Sequence, residues 1–100
     1  MKIIYDEAGS GKTYKLVMLS AEKNATIVAR SQSHIAYIKR VANSQGVKIP
    51  EPVSFMEFMH REKFLGKVPS SFIIDDAEDF LRYVAYGVPV AATSLTKEDA

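Results

Sequence analysis

Short apolar runs alternate with amphipathic segments along this chain, and the alternation predicts an α/β fold. The runs KIIYDE (2–7), ATIVAR (25–30), FIID (72–75) and VPVAAT (88–93) are compact and rich in branched side chains. Such continuous runs are typical of strands buried on both faces of a parallel sheet. Helical segments lie between them, as parallel strands require.

Helical spacing marks the first two segments between these strands. GKTYKLVMLSAEK (11–23) is predicted to be a helix, and a second helix is expected to begin with Ser33 as its N-cap and to end at Gly46. The apolar positions that recur at helical spacing in these helices are Leu16, Leu19, Ile35, Ile38 and Ala42.

Two further helices are predicted after a segment, VKIPEPV (47–53), that its prolines restrict to an extended edge position at most. Ser54 and Glu57 have the spacing of a capping box, which predicts a helix start. AEDFLRYVAYG (77–87) is predicted to be the last helix, with Gly87 as its left-handed stop. Side chains at helical spacing, expected to pack in the core, are Phe55, Phe58, Met59, Phe80, Tyr83 and Tyr86.

Composition narrows the possible classes of protein. The chain has 100 residues, which favours one domain (1–100), and its net charge of +1 gives no global attraction to nucleic acid or membrane. It contains no cysteine, and no apolar run has the length of a signal peptide or membrane span. A soluble, cytoplasmic protein is therefore expected. His34 and His60 have no metal-ligand spacing and are expected at the surface or at its boundary. Arg30 is expected to be a solvated or salt-bridged surface residue, with a nucleic acid or a neighbouring subunit as the alternative partner.

The segment DEAGSGKT (6–13) resembles the phosphate-binding pattern G-x-x-x-x-G-K-[ST], although Asp6 stands where the pattern has glycine. In such a loop backbone N–H groups surround a phosphate, lysine reaches the β- and γ-phosphates, and the Ser/Thr hydroxyl binds Mg²⁺. A predicted strand precedes the segment and a predicted helix follows it. The residues predicted to bind ATP are Glu7, Ala8, Gly9, Ser10, Gly11, Lys12, Thr13 and Tyr14.

A second acidic motif, IIDDAED (73–79), follows another predicted strand. Asp75 is predicted to hold Mg²⁺ together with Thr13, as a Walker-B acid does. Asp76 is then placed to activate or orient an attacking water. The alternative is that Asp76, Glu78 and Asp79 only begin a helix, where negative charge complements the dipole.

DEAGSGKT and IIDDAED together resemble motifs I and II of superfamily 1 helicases. ATIVARSQSHIAYIKRV (25–41) and VSFMEFM (53–59) resemble that family's motif Ia and its T-x-H-S-F segment in the right order. The resemblance implies a single RecA-like P-loop domain with a parallel sheet of about four to five strands and helices on both faces. It covers nearly the whole chain.

The resemblance also implies roles for individual residues. Thr93 or Ser94 would sense the γ-phosphate, and Ser31 and Gln32 would lie near single-stranded nucleic acid. Asp76 stands where the family has its catalytic glutamate and is one methylene shorter, so hydrolysis is expected to be weak. Glu78 replaces the family's glutamine, and the predicted catalytic residues are Lys12, Asp76 and Glu78. The second RecA-like half, with its arginine fingers, is expected from a protein partner or a homo-oligomer.

Three functions stay open at this level. The first is a Mg²⁺-dependent ATPase of the helicase-core type that acts in DNA metabolism. The second is a small nucleoside or nucleotide kinase, because IIDDAEDF and YGVPVAATSL also resemble thymidine kinases, although the cysteine lobe of those enzymes is missing here. The third is a non-catalytic nucleotide-binding adaptor. No basic groove is evident beside the aromatic side chains, so a base-stacking platform is not predicted.

Overall fold

A computed structural model describes residues 1–5, 11–60 and 68–96 of the chain. Predictions that fall on residues 6–10, 61–67 or 97–100 lie outside this part, and they include the phosphate-loop residues Glu7, Ala8, Gly9 and Ser10. In chain order the elements are α1 (Lys12–Lys23), β1 (Thr26–Ala29), α2 (Gln32–Ser44), β2 (Val53–Ser54), α3 (Phe55–His60), β3 (Phe72–Ile74) and α4 (Ala77–Val84).

The strands form a parallel sheet in the order β2-β1-β3. Val28 of β1 is level with Val53 of β2 and with Ile74 of β3. Both pairings are parallel, which confirms the α/β class and the parallel sheet. Helix α2 lies between β1 and β2, and helix α3 lies between β2 and β3, as parallel strands require.

The predicted number of strands is wrong for the described residues. Residues 1–5 and 88–96 have no regular secondary structure, so the runs at 2–7 and 88–93 do not add a fourth and fifth strand there. A branched apolar run favours extended backbone, but a strand exists only where neighbouring N–H and C=O groups pair with it. Ile4 nevertheless packs against the core.

Helices cover both faces of the sheet, as predicted, and β1 is buried throughout. On one face α1 and α2 pack against β1, and on the other α3 and α4 do so. The first core contains Leu16, Val17, Ile27, Ala29, Ile35, Ile38 and Ala42. The second contains Val28, Val53 and Phe55, with Phe58, Phe72, Ile74 and Phe80 packed against it.

Helix starts follow the capping rules, with one correction. The predicted capping box is present: Ser54 Oγ accepts from the N–H of Glu57 at 3.0 Å, and Glu57 Oε1 accepts from the N–H of Ser54 at 2.9 Å. The N-cap of α2, however, is Ser31 and not Ser33. Ser31 has extended backbone (φ −155°), and its Oγ accepts from the N–H of His34 at 3.2 Å. Both serines carry a hydroxyl that can cap a helix. The backbone is still extended at Ser31, shortly after β1 ends, whereas Ser33 is already inside α2.

Helices α2 and α4 each end in a Schellman motif, in which a left-handed residue follows the helix. In α2 that residue is Gly46 (φ 67°), and in α4 it is Tyr86 (φ 61°). Around Tyr86, the N–H of Gly87 donates to Arg82 O at 2.8 Å, and the N–H of Tyr86 donates to Tyr83 O at 3.2 Å. Gly87 is left-handed as predicted (φ 84°), but it is not the first such residue: α4 ends at Val84, and the left-handed position of the motif is held by Tyr86.

In the described part of the chain, no helix combines the length and the apolar character needed to cross a bilayer.

Candidate functional site

The carboxyl ends of the three strands meet at one edge of the sheet because all three are parallel. Arg30 and Ser31 follow β1, Phe55 follows β2 and Asp75 follows β3. Asn24 and Ala25 join α1 to β1, so α1 runs back along the sheet and its N-terminus lies toward this same edge. Ligands of open parallel sheets bind at such an edge.

The N-terminus of α1 contains the described part of the predicted phosphate loop. Gly11 is the N-cap, with left-handed backbone (φ 81°) that a side chain would strain. Lys12 and Thr13 are the first residues of the helix and are half-buried, and Tyr14 is exposed. Glycine offers no side-chain oxygen, so the first N–H groups of α1 are not capped by this residue.

Asp75 is a buried carboxylate at the carboxyl end of β3, with 7% of its surface exposed. Its N–H continues the sheet by donating to Val28 O at 2.9 Å. Its Oδ2 lies 2.5 Å from Nε2 of His34 in α2. A carboxylate can only accept, so the histidine nitrogen is the donor. The predicted position of Asp75 at a strand end is thus observed, whereas its histidine partner was not foreseen.

The other acids of the second motif form the start of α4. Asp76 is its N-cap, has left-handed backbone (φ 67°) and accepts from the N–H of Asp79 through Oδ1 at 3.1 Å. Glu78 is exposed in the first turn. These acids therefore begin a helix, as the alternative interpretation of the motif stated. A catalytic role for Asp76 and Glu78 stays a prediction.

The predicted nucleic-acid residues belong to a hydrogen-bonded group at the same edge. Ser31 caps α2, and Gln32 donates from Nε2 to Glu57 Oε1 at 3.1 Å. Because Glu57 also completes the capping box of α3, this bond ties the N-termini of α2 and α3 together.

The predicted γ-phosphate sensors do not lie on a strand. Thr93 and Ser94 are exposed in the segment without regular structure, where Thr93 Oγ1 donates to Ser94 O at 3.3 Å. The strand that was expected to carry them to the sheet edge is absent, so the placement predicted for them is wrong.

Within residues 1–5, 11–60 and 68–96, no group of three His, Cys, Asp or Glu side chains could hold a metal ion. The predicted magnesium ligands are of another kind, one carboxylate and one hydroxyl. Oxygen donors of this type fit Mg²⁺, which keeps several waters and takes one or two carboxylates with substrate phosphates. Asp75 and Thr13 therefore fit this ion chemically.

An open cleft of about 680 Å³ lies at the carboxyl edge, on the face covered by α3 and α4. Two arginines border it and share Asp79: Arg30 Nη1 is 3.5 Å from Oδ2, and Arg82 Nη1 is 3.7 Å from Oδ1. Among the described residues that line the cleft, the two cations exceed the one carboxylate, which leaves a positive excess there. Its lining is Arg30, Phe55, Asp79, Arg82, Tyr83, Tyr86 and Gly87.

The cleft corrects the expectation for several aromatic side chains. Phe55 and Phe58 pack against Phe80 edge-to-face, with ring centroids 5.1 and 5.7 Å away, as expected for core residues. Tyr83 is 43% exposed, however, and Tyr86 is 96% exposed. Met59, also expected inside, is 46% exposed. Helical spacing indicates which side chains share a face of a helix, but it does not show whether another element covers that face. The aromatic platform beside basic residues was therefore missed.

The chain was compared with protein-family models, with curated proteins and with solved structures, and none of them matches it.

Proposed function

We propose that this chain is an ATP-binding P-loop protein with a RecA-like architecture and weak, Mg²⁺-dependent ATP hydrolysis. One observation carries the proposal. The N-terminus of α1, with Gly11, Lys12 and Thr13, is directed toward the same sheet edge at which Asp75 is buried. Thr13 and Asp75 belong to separate motifs, 62 residues apart (75 − 13), and the direction of both toward one edge supports the proposal.

Each of these residues would have a distinct task. Lys12 would contact the β- and γ-phosphates, while Thr13 and Asp75 would hold Mg²⁺. When bound, Mg²⁺ neutralises the charge that develops on the phosphates. Asp76 would orient water, but in this structure its Oδ1 is engaged in capping α4. Slow turnover follows from that competing bond.

A melting scan with Mg²⁺ and each of ATP, ADP, GTP and dTTP tests the proposal. ATP at about 100 times its dissociation constant adds about 2.7 kcal/mol to the free energy of unfolding, which should raise Tm by roughly 10 °C in a domain of this size. Omitting Mg²⁺ should reduce the shift. If no nucleotide raised Tm, the proposal would be wrong. Transfer of label to a nucleoside would instead favour the kinase, and a shift with no turnover would favour the adaptor.

We also propose single-stranded nucleic acid as a partner of the cleft beside the nucleotide site. Arg30 and Arg82 supply donors for phosphate, and Tyr83 and Tyr86 supply exposed rings on which bases can stack. Arg30 directly precedes Ser31 and Gln32, so the cleft adjoins the residues to which the helicase resemblance assigns this role.

The backbone of Tyr86 gives this proposal independent support. A left-handed conformation costs a residue with a Cβ about 1–2 kcal/mol, and glycine holds the equivalent position after α2. A tyrosine that is 96% exposed recovers little by packing. Strain of this kind is commonly kept where function needs the side chain.

Tyr86→Gly is therefore expected to have two opposite effects. The variant should be more stable by about 1 kcal/mol, because the left-handed strain is removed. It should also bind a fluorescent oligothymidylate about tenfold more weakly in an anisotropy titration, since one stacking contact accounts for roughly 1–3 kcal/mol.

A matched control for this variant is Tyr37→Ala on α2. Tyr37 is also exposed (44%) and also lies beside an arginine, with Arg40 Cζ 5.8 Å from its ring, but it does not line the cleft. Its loss should leave binding unchanged. Equal binding by wild type and Tyr86→Gly would contradict the nucleic-acid proposal while leaving the ATP proposal in place.

A further inference from the structure

We propose that His34 is a positioning residue for the Asp75 carboxylate and thereby sets the affinity of the site for Mg²⁺. This inference rests on the proposed nucleotide site. It assigns a role to a histidine that the sequence alone placed at the surface or its boundary, without a function.

The contact between the two side chains joins separate layers of the fold. His34 lies in the first turn of α2 and Asp75 directly follows β3, 41 residues further along the chain. Only 23% of the histidine side chain and 8% of the aspartate side chain are exposed. A hydrogen bond to a carboxylate that is shielded from water is stronger than one at an open surface.

The histidine is itself held in place from two sides. Its backbone N–H donates to Ser31 Oγ, the cap of α2, and its ring centroid is 6.2 Å from that of Tyr37. The backbone of Asp75 is fixed by its bond to Val28 O in β1. Both ends of the side-chain contact are therefore anchored, as expected of groups that fix a ligand's geometry.

The chemical consequence concerns how a carboxylate meets a cation. A hydrogen bond to Oδ2 fixes the rotation of the carboxylate plane and therefore the position of its other oxygen. Carboxylates that ligate metals are commonly hydrogen-bonded in this way, and loss of the outer partner typically lowers metal affinity or activity about 10–100-fold. Without His34, the Asp75 carboxylate would have to be reordered each time the ion binds.

The test measures Mg²⁺ dependence and not activity alone. Tm is recorded at saturating ATP over a range of Mg²⁺ concentrations for wild type, His34→Ala and His34→Gln. We expect the Mg²⁺ midpoint to rise about tenfold in the alanine variant. It should return toward wild type with glutamine, whose amide N–H₂ can still donate to Asp75.

A purely structural role would give a different pattern. His34→Ala would then lower Tm by the same amount at every Mg²⁺ concentration, with an unchanged midpoint, and that result would overturn the inference. If the alanine variant does not fold, His34→Gln and His34→Asn are compared with wild type. The shorter asparagine amide is expected to reach Asp75 less well. An equal Mg²⁺ midpoint in all three proteins would therefore also overturn the inference. The control is Lys39→Ala, on the same helix as His34, which removes an exposed contact between Lys39 and Glu51 outside that helix. If wild type itself gave no ATP shift, the proposed function would fail instead.

Discussion

Replacing Lys12 by alanine is expected to remove most of the rise in Tm that ATP and Mg²⁺ produce. Lys12 is the first residue of α1 and is half-buried beside the N-cap Gly11. Its ammonium would form a charge-assisted hydrogen bond to the β- and γ-phosphates, a contribution of about 1.5–3 kcal/mol. The loss corresponds to roughly 10–100-fold weaker binding.

The size of the effect can be stated as a melting shift. At an ATP concentration that is about 100 times the wild-type dissociation constant, a 100-fold weaker variant gains only about 0.4 kcal/mol where wild type gains about 2.7 kcal/mol. Differential scanning fluorimetry with and without ATP measures both values. Lys23→Ala, at the other end of α1, is the control and should keep the full shift. A full shift in the Lys12 variant would mean that the nucleotide binds elsewhere.

Truncation of Ile27 to alanine is expected to cause a large loss in the free energy of unfolding. Ile27 is in the central strand β1, is 0% exposed and belongs to the core between the sheet, α1 and α2. Removing a buried side chain of this size costs about 2–5 kcal/mol, because burial is lost and a cavity remains. For a domain of this length Tm should fall by about 10 °C or more.

Ile3 provides a matched control for that truncation. It is the same residue type but is 56% exposed, so Ile3→Ala should change the free energy of unfolding by less than about 0.5 kcal/mol. Urea unfolding followed by circular dichroism measures both variants. Similar midpoints for the two would show that β1 is not the centre of the core.

The candidate site was predictable where chemistry is local to one short segment. The spacing of Ser54 and Glu57 specified their reciprocal capping bonds, and the acid after the β3 run was correctly placed at a strand end. The partner of that acid was not predictable. His34 is 41 residues away, and only the parallel pairing of β1 with β3 brings the start of α2 over Asp75.

By itself, the sequence determined the α/β class, the helix segments and the burial of β1, and it supplied the prediction of a phosphate and Mg²⁺ site. These features follow from local periodicity and from the chemistry of individual side chains. Tertiary structure decided which apolar runs become strands, which serine caps α2, that His34 meets Asp75, and that Tyr83 and Tyr86 face a cleft beside two arginines. Each of these depends on a partner distant in sequence, and periodicity carries no information about which elements become neighbours.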